Sequence, residues 1–129
     1  NDASMLNDSF KNFSRRLGLV VTSPPADRLI RNGEIIELGQ SALEVIHTPG
    51  HTSGSISLYC QKEGVVFTGD TLFAGSIGRT DLPGSSFKDI MQSLRGKLMK
   101  LPDHVLVYPG HGEKTTIGKE KRDNPFLQV

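Results

Sequence analysis

A chain of 129 residues is sized for one domain and can bury about two-thirds of its unfolded surface. Fifteen Lys and Arg face fourteen Asp and Glu, and two Tyr, six Phe and no Trp leave few stacking platforms. That balance offers nucleic acid neither a basic field nor an aromatic surface. No apolar run approaches the roughly 20 residues that cross a bilayer, and the opening NDASMLNDSF is too polar for a signal peptide. The expectation is therefore a cytoplasmic protein with no nucleic-acid or membrane partner.

The single cysteine, Cys60, cannot form an internal disulfide and is expected to pack as a buried thiol in a reducing compartment. The chain opens on Asn1 rather than Met, which suggests a piece of something longer.

In chain order, Met5, Leu6, Phe10, Phe13 and Leu17 have helical spacing, with Gly18 as a C-cap, and predict a helix over residues 2–18. PPADRLIRNG reads as a connector ending in an Asn32-Gly33 turn. EIIELG and ALEVIHT predict two strands joined at Gly39-Gln40. SISLYC and GVVFTGD predict two more, the second stopping at Gly69-Asp70. Residues 72–86, glycine-rich and carrying Pro83, predict a long shaped loop. Phe87, Ile90, Met91, Leu94 and Leu98 then form one helical stripe, with Ser85 or Ser86 as N-cap and Pro102 closing the segment. HVLVYPGHG predicts a last strand and turn. The tail TTIGKEKRDNPFLQV reads as polar, then apolar, with Phe126 and Leu127 tucked against the body. The order points to one mixed α and β domain over residues 1–129, a mostly antiparallel sheet with flanking helices.

Three strand ends carry chemistry. LEVIHT runs into Pro49-Gly50-His51, VVFTG into Asp70, and VLVYPG into His111. Turns at the ends of neighbouring strands can converge on one sheet edge, where scaffolds commonly carry their sites. Two imidazoles and a carboxylate are ligand types of zinc, manganese and non-haem iron. Taken singly, a His after Pro-Gly is an ordinary turn residue and Gly-Asp an ordinary Asx-type turn; only their shared placement raises the metal reading. His47 precedes His51 by four residues, but Pro49-Gly50 rules out a helix that would put both on one face, so His47 is expected to be structural or to support a ligand. His104 is expected to face solvent. Ser53 and Ser55 lack a paired base, so a serine nucleophile is not expected.

The motifs HTPGHTSGS, FTGDTLF, GSIGRTDLPG, VYPGHG, TTIGKEK and NPFL, in this order, resemble the metallo-β-lactamase superfamily in its glyoxalase II-like (hydroxyacylglutathione hydrolase-like) branch. The resemblance implies an αββα sandwich of which this chain is the C-terminal αβ half. The branch's His-x-His-x-Asp-His run does not occur in this sequence, and NDASMLNDSF resembles the region after it. By resemblance, His51, Asp70 and His111 are metal ligands, with Asp70 bridging two divalent ions, zinc first and iron or manganese as alternatives. The implied reaction is hydrolysis of a thioester such as S-lactoylglutathione by a metal-held hydroxide, with Asp70 as the catalytic carboxylate. Arg79 would meet a substrate carboxylate, or else pair with Asp81 to shape its loop. Two other readings stand beside this one: an iron-dependent persulfide dioxygenase of the same fold, and a non-catalytic fragment. With four of seven expected ligands absent, the isolated chain is expected to be weakly active or inactive and to pair with itself or with a missing N-terminal half.

Overall fold

Strands form where β-branched and apolar residues alternate, and the sheet they build sets the position of everything else. In the computed structural model, which describes residues 1–128, the chain divides into two compact units, Asn1–Ile30 and the remainder from Arg31. Each is taken by itself.

The first unit corrects the expected N-terminal helix. Only two short 3-10 turns form, Asp2–Met5 and Ser14–Leu17. The polar residues between the apolar ones win locally. Asp8 Oδ1 accepts from the Phe10 and Lys11 amides, and Asn12 Oδ1 accepts from that of Ser14. Asn12 Nδ2 in turn donates to the Met5 and Val21 carbonyls. Asx side chains that satisfy nearby backbone groups offer an alternative to the helical ladder. Phe13 sits at φ 65°, outside any right-handed helix. The supposed stripe also lacks a surface to cover, since Phe10 and Leu17 are exposed.

The second unit is built on one six-stranded sheet of order β1-β2-β3-β4-β7-β8. Its strands are β1 (Ile35–Leu38), β2 (Ser41–His47), β3 (Ile56–Cys60), β4 (Val65–Gly69), β7 (Leu106–Pro109) and β8 (Thr115–Thr116). A separate hairpin, β5 (Leu72–Phe73) with β6 (Ser76–Ile77), lies within the segment expected to be loop. Two helices follow, α1 (Phe87–Gly96) and α2 (Ile117–Asp123). Every neighbouring pair in the large sheet is antiparallel except β4 with β7. Two antiparallel steps restore direction, so β2, β4 and β7 all run the same way. Their C-terminal ends share one edge.

The sheet has two unlike faces. Tyr59, Val66 and Val107 are register partners and join Ile90, Leu94, Leu98 and Ile117 in the buried core. One residue along, Leu58, Phe67 and Tyr108 are register partners on the opposite face. There the Phe67 and Tyr108 rings stack with centroids 5.7 Å apart, and they are 44% and 36% exposed. This is the single sheet-and-helix half that the resemblance implies.

Helix α1 starts at Ser86, whose Oγ accepts from the Asp89 amide, while Asp89 and Arg95 suit the positive and negative ends of the helix dipole. Its predicted stripe holds for Ile90, Leu94 and Leu98, all fully buried, but Phe87 is exposed at the first turn. The helix ends at Gly96 and a 3-10 turn over Leu98–Lys100 carries Leu98 into the core. Helix α2 is new relative to the sequence reading, which described the tail as polar and then apolar and assigned it no element. Thr116 caps it, its Oγ1 accepting from the Lys119 amide. Of the two tail residues expected to tuck in, Leu127 packs on the core while Phe126 is only partly covered, at 39% exposed.

Leu94 is fully buried, so Leu94→Ala removes transfer energy and leaves a cavity. The expected loss is about 2–5 kcal/mol. Urea unfolding followed by circular dichroism should show a lower midpoint at unchanged slope.

Candidate metal centre

The edge where β2, β4 and β7 end collects the three candidate ligands. After β2, the turn that carries His51 is held from two sides. The Ser86 amide donates to the Gly50 carbonyl and Ser93 Oγ to the Pro49 carbonyl, so α1 fixes the turn through its N-cap and a residue further along the helix. Thr52 and Ser55 close the loop beyond the ring, with their hydroxyls 2.7 Å apart and the Thr52 amide donating to Ser55 Oγ. After β4, the register with β7 slips between Phe67 and Gly69. Such irregularities re-aim side chains near functional edges, and here Asp70 follows at once. A buried hydroxyl chain ties the two loops, since Thr48 Oγ1 lies 3.1 Å from Ser57 Oγ and accepts from Thr71 Oγ1 at 3.4 Å.

Asp70 stands between two rings. His51 Nε2 is 3.7 Å from Asp70 Oδ2 and His111 Nε2 is 3.7 Å from Asp70 Oδ1. Each oxygen therefore faces its own imidazole. Both distances exceed hydrogen-bond range. Among the described residues no three His, Cys, Asp or Glu side chains close round a single point as a metal cage. The arrangement is instead two pairs that share one carboxylate. The His51 tautomer is set from behind. Its Nδ1 lies 3.0 Å from the Arg79 carbonyl, which only accepts, so Nδ1 carries a proton and Nε2 is the nitrogen turned towards Asp70.

Two glycines bring the backbone close enough for this. A Cβ on Gly78 would lie 1.8 Å from the Asp70 carbonyl oxygen, and one on Gly110 would lie 2.5 Å from Asp70 Oδ1. The Gly78 amide donates to the Thr71 carbonyl and that of Gly110 to Gly69. No other residue fits either place without moving Asp70.

The three residues line a cavity of about 510 Å³ together with Phe73, Ile77 and Arg79. His51 is the most enclosed, its side chain 20% exposed against 75% for His111. His47 and His104 are elsewhere, as the sequence suggests. His47 Nε2 sits 3.0 Å from the Ser53 carbonyl, and His104 is exposed beside Gly64. Arg79 reaches the rim, but its Nε and Nη2 form a fork on Asp81, both contacts at 2.8 Å. That is the loop-shaping alternative of the sequence reading. Sequence reasoning missed Phe73, whose ring lies 4.5 Å from that of His111, and the backbone role of Arg79. The signal for Phe73 was thin: one aromatic in a segment that otherwise reads as loop.

Residues 1–111 match the family model of the metallo-beta-lactamase superfamily. The probable metallo-hydrolase YqgX of Bacillus subtilis is 43% identical over 98% of this chain and 61% of its own length. The hydroxyacylglutathione hydrolase GloC of Haemophilus influenzae is 47% identical over 75% of this chain and 46% of its own length. Among solved structures, the BLEG-1 B3 metallo-beta-lactamase superposes with a TM-score of 0.92 at 43% identity, covering 99% of this chain and 62% of that one. TTHA1623 in a di-iron-bound form superposes with a TM-score of 0.77 at 42% identity, covering 90% and 57%. The chain thus spans about 60% or less of these relatives.

The fork makes a pH prediction. The Arg79 hydrogen bonds, helped by a backbone hydrogen bond, lower the Asp81 carboxyl from 3.8 to about 2, and Asp81 raises the guanidinium in turn. A depressed folded-state pKa gives a contribution that is present above the ordinary value and lost as pH falls through the depressed one. The fork should therefore persist at pH 4 and open towards pH 2. Carbon-13 NMR titration of the Asp81 carboxyl should show that midpoint, and Arg79→Ala should return it towards 3.8.

Proposed function

Since the chain belongs to the metallo-β-lactamase superfamily, we propose that its strand-end edge is one side of a two-metal hydrolytic centre. In this reading His51 and His111 each serve one divalent ion and Asp70 bridges them. The observation that carries it is the shared carboxylate, with each oxygen turned to a different ring. The donor set fits the group. His51 Nε2 and Asp70 Oδ2 face each other at 3.7 Å, beyond hydrogen-bond range, and an imidazole nitrogen and a carboxylate oxygen are both donors that a divalent cation takes. Each position receives two protein donors from this chain, whereas a catalytic zinc usually has three. The remaining ligands belong, in this proposal, to sequence outside these 129 residues.

Bound there, divalent ions would acidify water and polarise a carbonyl. The residues of this chain do the rest by placement. Asp70 would hold both ions through its two oxygens and offset their charge. The Arg79 carbonyl holds the His51 Nδ1–H, which leaves Nε2 as the nitrogen turned towards the site. Phe73 covers one flank of His111 and makes that wall of the cavity apolar. Arg79 stays at the rim as the substrate-binding candidate, through the edge of its guanidinium that Asp81 does not engage.

For the intact protein the proposed substrate is a small thioester such as an S-acylglutathione, which the likeness to GloC supports. Zinc is the first choice of metal. The likeness to a di-iron form supports iron as the alternative, and metal analysis with oxygen uptake separates hydrolysis from an iron oxygenase. In the full-length protein, Asp70→Asn should lower S-lactoylglutathione hydrolysis by about 10²-fold or more. Unchanged turnover at unchanged metal content would remove Asp70 from the bridging role.

The open face bears on partners. We propose that the Phe67–Tyr108 face meets another sheet, either a second copy or further sequence of the same protein, because stacked rings left in water favour burial. Static light scattering of the 129-residue chain should show association that Phe67→Ser weakens. A strictly monomeric wild-type chain would argue against it.

A further inference from the structure

We propose that Glu120 is a positioning residue for the His51–Asp70–His111 edge, acting through the β5–β6 hairpin. Glu120 lies on α2 and is 1% exposed. Its carboxylate is surrounded by donors. Oε2 accepts from the Gly75 amide at 2.9 Å and from Asn124 Nδ2 at 2.8 Å, and Oε1 accepts from Thr115 Oγ1 at 2.6 Å. Asn124, fully buried, gives its other Nδ2 proton to the Ser76 carbonyl at 3.1 Å. Together the two side chains take hold of the hairpin at adjacent residues, one N–H and one C=O. Burying a carboxylate is costly unless it is fully hydrogen-bonded, and an apolar side chain would fill the same space without that cost. What an apolar side chain would lose is the grip on Gly75.

The hairpin matters because it reaches all three residues of the edge. Phe73, on its first strand, packs on the His111 ring at 4.5 Å. Gly78, just after its second strand, lies against the Asp70 backbone. Arg79, the next residue, sets the His51 tautomer through its carbonyl. A hairpin with only two residues per strand has little pairing of its own to hold it. We infer that α2 supplies the missing constraint, and that releasing the hairpin tip disturbs both rings. Only the metal-affinity part of this inference rests on the proposed function.

The test uses the 129-residue chain, whose four histidines provide two reporters and two internal controls. Long-range proton–nitrogen NMR reads the ring nitrogens of each, and titration with Co²⁺ alone reads the site. Glu120→Ala should shift the His51 and His111 signals, leave those of His47 and His104 in place, and weaken Co²⁺ binding by about tenfold or more. Glu120→Gln should stay close to wild type. Its amide oxygen can accept from Gly75 and Asn124, and its NH₂ can donate to Thr115 once that hydroxyl turns to accept. Leu98→Ala serves as a control that lowers Tm without touching the hairpin tip. If Glu120→Ala lowers Tm like Leu98→Ala but moves none of the four histidines, or all four alike, Glu120 is only a structural pin and the proposal falls. Should Glu120→Ala fail to fold, Asn124→Ala decides by the same criteria, since it frees Ser76 and keeps the carboxylate. A wild-type chain that binds no Co²⁺ would overturn the metal reading, while the ring shifts would still judge the positioning role.

Discussion

Three backbone segments meet at Asp70 at distances that no side chain would allow. The Asp70 carbonyl lies against Gly78, and the Asp70 carboxylate lies against Gly110. Everything notable about the edge follows from that approach. It lets the carboxylate stand between two rings instead of beside one, and it brings the Arg79 carbonyl, one residue past Gly78, up to His51. The direction of the strands makes it possible, because β2, β4 and β7 deliver their last residues to the same side of the sheet. The hydroxyls of Thr48, Ser57 and Thr71, with Ser86 and Ser93 of the α1 cap and helix, then hold the loops there.

Much of this is legible in the sequence, and the reasons are local. The four strands from Ile35 to Gly69 announce themselves by β-branched alternation and by Asn-Gly, Gly-Gln and Gly-Asp punctuation. Those signals act over a few residues and need no partner. His51, Asp70 and His111 stand out because each follows an apolar run and a turn residue, and the fold places them together. The misreadings arise where tertiary context or side-chain competition decides. The apolar spacing of residues 5–17 matches a helix, yet Asp8 and Asn12 capture the backbone first. Helix α2 is short and contains Gly118, which packs on Asp103; a glycine chosen for close contact reads in sequence as a helix breaker. Phe73 has no distinguishing pattern, because its partner, His111, is 38 positions away in the chain.

The same sheet presents a finished face and an open one. On one side, Val66 and Val107 are sealed by α1 and α2. On the other, Phe67 and Tyr108 stack in water. In the proposed reading that second face is where another sheet would pack.

The parallel seam between β4 and β7 has a consequence in time. Neighbouring strands β2, β3 and β4 follow one another and can pair as they leave the ribosome, but β7 joins β4 only after the hairpin and α1 have been made. Closing so long a loop is slower than zipping a hairpin. A nascent chain that has emerged as far as α1 contains both His51 and Asp70. It has neither His111 nor the Gly110 backbone that seats the carboxylate. Half of the edge therefore predates the other half, and the order of synthesis keeps the two rings from facing Asp70 until the sheet is complete.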